Sequence, residues 1–578
     1  MPILPRLISR PALVLAAALA LGPVGGTHAA ITTDNPGAIA SFLAGQQALE
    51  DLNTTRAADL LVRAARADWD NPIIVERAFV ALAADGRIAE SAEMARHLLD
   101  LDGTYELASI VAAAEDLMQG RYSAAETGLS RLGTDTFPGL TGSILRAWAL
   151  VGESRLDDAE DLLSEVGDEG LQQFLVFHRA LMADVAGDTN LAIELAAAAH
   201  ETDPLVARLV EAYARMLGGA GRYDEALEVL DGFEAQGASH PLVDAVRPAI
   251  EERRDPGMFA RNAQAGAAEM FHSMGAALSR ESSPDLAVVF LQIGHYLDPE
   301  SHAISMALGE LFGIHGQHET AIDVYDRIPE GSPMKPLAVV RVAENLDAMG
   351  ERPEAISRLT AIVEAHPEDL DAVSVLGDIY RNDRRYSEAA DAYTQALDIT
   401  GGDSRADWRF YYVRGIAYER NKEWPKAESD FQRALELNPN QPQVLNYLGY
   451  SWVDQGMHLD DALGMIETAV AAAPNDGYII DSLGWAFYRL GRFDEAVQVL
   501  EQAVQLLPND PEINDHLGDA YWRVGRKMEA RFQWNVAAYV DEEGEVRERV
   551  APKLQGGLDA APVPEDAQPI VETPAPSR

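Results

Sequence analysis

The chain contains no cysteine. Disulfides, thiolate nucleophiles, cysteine zinc ligands and a lipid attached through an N-terminal cysteine are all excluded by that absence. Cations are scarce: 46 Lys and Arg face 93 Asp and Glu, a formal net charge of −47 over 578 residues. Such an excess repels phosphate backbones and anionic headgroups, which argues against nucleic-acid and polybasic membrane partners. The acids are dispersed among apolar periodic segments, so they read as a solvated surface and not as a disordered acidic chain. Long apolar runs are missing as well. The stretch Ala12 to Leu21 is about half the ~20 residues that a membrane-crossing helix needs. Catalytic signatures are absent too, with no GxxxxGK(S/T), GxSxG or HExxH and no GxGxxG following a strand.

The N-terminus is a separate object. Arg6 and Arg10 precede PALVLAAALALG, and Thr27-His28-Ala29 offers small residues at the −3 and −1 positions of a signal-peptidase site. This arrangement predicts a secretory signal peptide over 1–29, cleavage before Ala30 and a periplasmic mature chain with no membrane-spanning segment. Export combined with an absence of cysteine suits a compartment that oxidises stray thiols.

What is present is repetition. Leu483-Gly484 recurs as Leu517-Gly518, Phe487 as Tyr521, Gly491 as Gly525 and Ala496 as Ala530, at an offset of 34. Each unit reads as two amphipathic helices. Ile480, Leu483, Gly484 and Phe487 share one face, and Gly491 ends that helix as a left-handed cap. Asp494 opens the second helix, Ala496, Val499, Leu500 and Ala503 form its apolar stripe, and Pro508 stops it. Further copies run upstream through Leu448-Gly449, Gly415, Leu376-Gly377, Leu308-Gly309 and Gly275. GRYDEALEVL at 221–230 and GRYSAAETGL at 120–129 continue the series as fragments.

Leu-Gly, Tyr, Gly, Ala, Phe, Ala and Pro at these offsets resemble the tetratricopeptide repeat (TPR) family. The resemblance implies an all-α superhelical solenoid of antiparallel helix hairpins, about 14 with degenerate copies included. The expected order is the signal peptide at 1–29, a degenerate N-terminal array at 30–240 and a break or extra helix at 241–267. A C-terminal array follows at 268–544, then an acidic, proline-rich disordered tail at 545–578.

The same resemblance implies where function resides. In a stacked TPR superhelix, positions 2, 5, 6, 9, 12 and 13 of each first helix point into a concave groove. Here those positions hold Arg409 and Tyr412; Asn446, Tyr447 and Tyr450; Asp481, Trp485, Tyr488 and Arg489; and His516, Trp522 and Arg523. Aromatic and arginine side chains dominate binding hot spots, and an asparagine amide can bond a peptide backbone in either direction. These twelve residues are the candidate protein- or peptide-binding site, with the tryptophans expected as exposed anchors. The lysine and asparagine arrangement of TPR carboxylate clamps is not reproduced, because positions 5 and 9 hold Asn446 and Tyr450.

NYLGYSWVD, DSLGWAFYRLGR and DHLGDAYWRVGR in consecutive repeats resemble bacterial envelope TPR proteins, over roughly residues 370 to 545. Some of that group act as adaptors that present substrates to a carboxyl-terminal processing protease. Those adaptors are typically lipoproteins, a feature that a chain without cysteine does not share. The resemblance implies a non-enzymatic scaffold that needs no cofactor or metal. A structural component of an envelope assembly and an enzyme with an unrecognised site are the alternatives. His315 and His318, near Glu310 and Glu319, read as turn residues. Asp460-Asp461 and Asp157-Asp158 read as helix-opening acids favoured by the helix dipole.

Overall fold

The computed structural model describes residues 36–558, apart from 134–135, 167–170, 281–282 and 543. The expected signal peptide and residues 559–578 of the expected tail lie outside the described residues. All regular structure among the described residues is helical, arranged as successive antiparallel hairpins.

Local chemistry sets where the hairpins start and turn. The Asp476 carboxylate accepts hydrogen bonds from the backbone N–H groups of Tyr478 at 3.0 Å and Ile479 at 3.2 Å. These are donors that the first turn of a helix leaves unpaired. Asp510 caps Ile513 and Asp369 caps Ala372 in the same way. Gly491 and Gly525 close first helices at φ 75° and 85°, a region that favours glycine. Arg384 and Lys422 hold the corresponding turns at φ 59° and 63° without one. A Cβ on Gly484 would lie 2.5 Å from the Leu500 side chain, so the two helices of that hairpin meet in close contact.

The helices gather into two compact units, divided between Ile362 and Val363. In the first, the chain fills its own groove. The helices Ala263–Arg280 and Pro284–Leu297 pack against the first helices of earlier hairpins, Pro72–Ala84, Glu106–Met118, Phe137–Gly152 and Gln172–Ala186. Phe290 stacks on Phe137 at 5.7 Å between ring centroids. Gln292 donates to the Ala84 carbonyl at 3.3 Å and Gln264 to that of Leu117 at 3.0 Å. A buried ion pair, Arg208 with Glu269 at 2.6 Å, ties the Ala207–Gly219 helix to the Ala263 helix.

The interruption at 241–267 contains two short helices, Pro241–Asp244 and Arg247–Glu251. The next hairpin starts at Ala263, and it belongs to the first unit. The division between units therefore does not coincide with the interruption, because the apolar complement of the 263–297 hairpin lies on the helices before it.

Candidate functional site

All twelve candidate residues lie in the second unit, on four successive first helices: Trp408–Arg420, Pro442–Asp454, Gly477–Arg489 and Pro511–Arg523. Arg409 is exposed. Tyr412, Tyr447 and Tyr450 are half-buried and present an aromatic surface across the first two helices. Tyr412 meets Tyr447 edge to face at 6.1 Å, and Tyr447 rests on Phe431 at 5.1 Å. The Tyr447 hydroxyl donates to Glu419 at 3.0 Å. Burial, then the nearby Glu419 carboxylate, pushes the Tyr447 phenol well above its ordinary range. Asn446 lies one residue before Tyr447, and its side-chain oxygen has no hydrogen-bond partner.

The next two helices differ from the expectation. Trp485 is 4% exposed, Tyr488 0% and Arg489 3%, and Asp481 and His516 are buried as well. Trp485 stacks at 4.6 Å on Tyr488 and at 4.0 Å on His516. The polar members tie neighbouring repeats together. Arg489 donates to Asp454 at 3.0 Å, His516 meets Asp481 at 2.9 Å, and Arg523, itself exposed, donates to the Tyr488 hydroxyl at 3.1 Å. Each link joins residues 35 apart, one repeat to the next on the inner face. These positions stitch the solenoid together, and Trp485 and Tyr488 are not exposed anchors.

His516 shows the electrostatics of that seam. Burial alone would depress its pKa, but Asp481 and Glu512 outweigh burial and hold the imidazolium at about 10. Burial also acts on Glu512, where His516 and Arg549 prevail and bring the carboxyl down to about 2. For Asp481 burial wins and its pKa is raised in spite of His516. Both partners of this ion pair thus shift upward, which favours the charged imidazole and disfavours the charged carboxylate. The 2.9 Å geometry favours the charged pair, with desolvation as its cost.

Trp522 is covered from a direction the sequence reading missed. The stretch from 545 is not all tail: Glu545–Gly556 is a helix that folds back on the last hairpin. Val546, Val550 and Leu558 are buried. Lys553 donates to Asp515 at 2.7 Å and to Asp519 at 2.8 Å, while Arg549 reaches Asp515 and Glu512 at 2.8 and 2.6 Å. Burial, followed by the neighbouring Asp515, raises Asp519 to about 6 despite Lys553. The backbone at Gly557 lies so close to Trp522 that a Cβ there would sit 1.8 Å from the indole. Val546 and Val550, four apart, with Arg549 and Lys553 beside them, are the helical signal that the prolines of this stretch masked.

His315 and His318 are engaged locally, at 2.8 Å from the Leu311 carbonyl and the Asn345 side-chain oxygen respectively. Among the described residues no group of three or more His, Asp or Glu side chains is arranged so that it could hold a metal ion. None of the described helices is long and apolar enough to cross a membrane.

Family models agree with the hairpin geometry. A model described as TPR repeat matches residues 484–525, and models described as tetratricopeptide repeat match 343–404 and 408–441. These stretches are tetratricopeptide repeats. The TPR chain is 26% identical over 186 residues to a TPR repeat-containing protein of Pseudomonas aeruginosa, a match spanning 32% of this chain and 31% of the other. It is 24% identical over 193 residues to a protein O-mannosyl-transferase of Homo sapiens, across 33% of this chain and 21% of that one. It thus spans less than a third of the length of either relative. Among solved structures, the Cut9–Hcn1 assembly of the APC/C matches at 15% identity, 90% of this chain and 96% of that one, with a TM-score of 0.38.

Proposed function

We propose that this TPR protein is a non-enzymatic scaffold, and that the inner face of the Trp408 and Pro442 helices holds a protein partner as an extended peptide. The observation that carries this reading is Asn446. Its side-chain oxygen lies away from solvent without a donor, one residue before the half-buried Tyr447 and one turn before Tyr450 on the same helix. An unpaired buried acceptor costs about 1–3 kcal/mol. A peptide laid along the aromatic surface would draw the Asn446 side chain outward and donate the missing bond from a backbone N–H, with the tyrosine rings taking its side chains. Arg409 and Arg420, both exposed at the ends of the Trp408 helix, would favour an acidic segment.

Export to the periplasm and presentation of substrates to a carboxyl-terminal processing protease belong to the same proposal. They rest on the Arg-flanked apolar run before Ala30 and on the resemblance of the last repeats. The test is affinity capture from a periplasmic extract, comparing the natural chain with Asn446→Ala and Tyr450→Ala. A partner retained by the first and lost by both variants, with unchanged melting temperatures, is the expected result. Equal retention by all three would overturn the site, and N-terminal sequencing that finds Met1 on the cellular protein would overturn export.

A further inference from the structure

The last second helix among the described repeats, Lys527–Val540, exposes an apolar stripe that none of the four preceding repeats carries. Met528 is 84% exposed, Phe532 65% and Tyr539 88%. Their spacing of four and seven residues places them on one helix face. The repeat supplies its own control. Ala530 corresponds to Ala389, Ala427, Ala462 and Ala496, all fully buried against their own first helices. Counted from that alanine, the place of Met528 is held in those repeats by Ser387, Pro425, Asp460 and Asp494. The place of Phe532 is held by Asp391, Ser429, Gly464 and Gln498, and that of Tyr539 by Asp398, Glu436, Ala471 and Gln505. One outward register, polar or small in four consecutive repeats, becomes large and apolar at all three places in the fifth. Hairpin packing does not demand this, since the inward residues Ala530, Trp534 and Ala537 are already buried.

We infer that this stripe is a self-association surface and that its occupant is the same helix of a second copy, packed antiparallel about a twofold axis. The stripe complements itself in that arrangement. When Met528 of one copy meets Tyr539 of the other, Phe532 falls beside Asn535, and the apolar run is closed from both ends. The charges agree. Lys527 and Arg531 lie at the start of the helix and the exposed Glu542 just beyond its end, so the antiparallel pairing brings cation against anion at both ends. A parallel pairing would set like charges together. Self-repulsion between chains of −47 is screened beyond about 8 Å at physiological salt. Three large side chains per copy bury on the order of 1,000 Å² in all, the threshold of a specific, reversible interface. A dimer with a micromolar dissociation constant is therefore expected. This surface lies on the outward face of the solenoid, and the inference stands independently of the groove.

The test is sedimentation equilibrium of the full chain from about 1 to 200 µM. The triple variant Met528→Asp, Phe532→Gln, Tyr539→Gln installs the residues of the preceding repeat at the same exposed places. It should keep its melting temperature and weaken association at least a hundredfold; the single variant Phe532→Asp should weaken it in the same sense. Lys527→Glu should weaken the dimer, and adding Glu542→Lys should restore it. A natural chain that stays monomeric at 200 µM, or a triple variant that still dimerises, would overturn the inference. Failure of the charge exchange to restore association would overturn the antiparallel pairing.

Discussion

His178 makes the first unit sensitive to acid, to an extent that follows from its surroundings. The ring is fully buried among Phe174 at 4.4 Å, Phe177 at 5.7 Å and Trp148 at 6.2 Å, and neither ring nitrogen has a hydrogen-bond partner. Burial, partly opposed by the Glu269 carboxylate, lowers its pKa from 6.5 to about 4. An unfolded chain takes up this proton as pH falls through 6.5, whereas the native state refuses it until about 4. The stability held by the neutral ring is complete above pH 6.5 and is lost between 6.5 and 4. At about 1.4 kcal/mol per pH unit, the loss is about 3 kcal/mol. The perturbation is His178→Phe, which keeps an aromatic ring in the cluster and removes both unpaired nitrogens. The assay is urea unfolding at pH 7 and pH 4, followed by tryptophan fluorescence with Trp148 as the local reporter. The natural chain should lose about 3 kcal/mol more than the variant between these two pH values, because the other titrating groups are common to both. At pH 7 the variant should be no less stable than the natural chain. Parallel losses in the two proteins would refute the reasoning.

Other substitutions probe the seams. Lys553→Ala leaves Asp515 and Asp519 buried without their cation and should cost about 3–5 kcal/mol, with Trp522 emission shifting to the red as the Glu545 helix lifts; unchanged emission would contradict that coupling. Trp485→Ala should destabilise the second unit by about 3–5 kcal/mol in thermal unfolding, as expected of a stacked, buried indole. A melting temperature within a degree of the parent would restore it as a surface anchor. Gly266→Ala would place a methyl 2.0 Å from Trp148 and should cost about 1–3 kcal/mol by overpacking, read as a lowered urea midpoint of the first unit. With His516 held at about 10, its contribution to stability is whole below pH 6.5 and declines from there to pH 10. That alkaline decline should be absent from His516→Asn.

The 34-residue period, the close helix approach at Gly484 and Gly518 and the capping aspartates are local statements, and the amino-acid sequence alone determined them. Leu483-Gly484 with Ala496 specifies a hairpin whose helices nearly touch, because a side chain at Gly484 would strike Leu500. Asp476 and Asp510 start helices because their carboxylates meet backbone donors only two or three residues away. Which faces remain open was decided between residues far apart in the chain. Trp485 occupies a position that faces the groove in the repeat pattern, yet it is enclosed by Tyr488 on its own helix and by His516 on the next. Trp522 is partly covered by the chain at Gly557, just past a helix in a stretch whose prolines suggested disorder. The groove of the first unit is filled by a hairpin from far downstream, with 147 residues between the partners of the Gln264–Leu117 bond and 208 between those of Gln292–Ala84. A 34-residue period encodes how each repeat meets its neighbour. It carries no term for a solenoid that curves back on itself or for a terminal helix that turns inward, and only the tertiary structure decided those contacts.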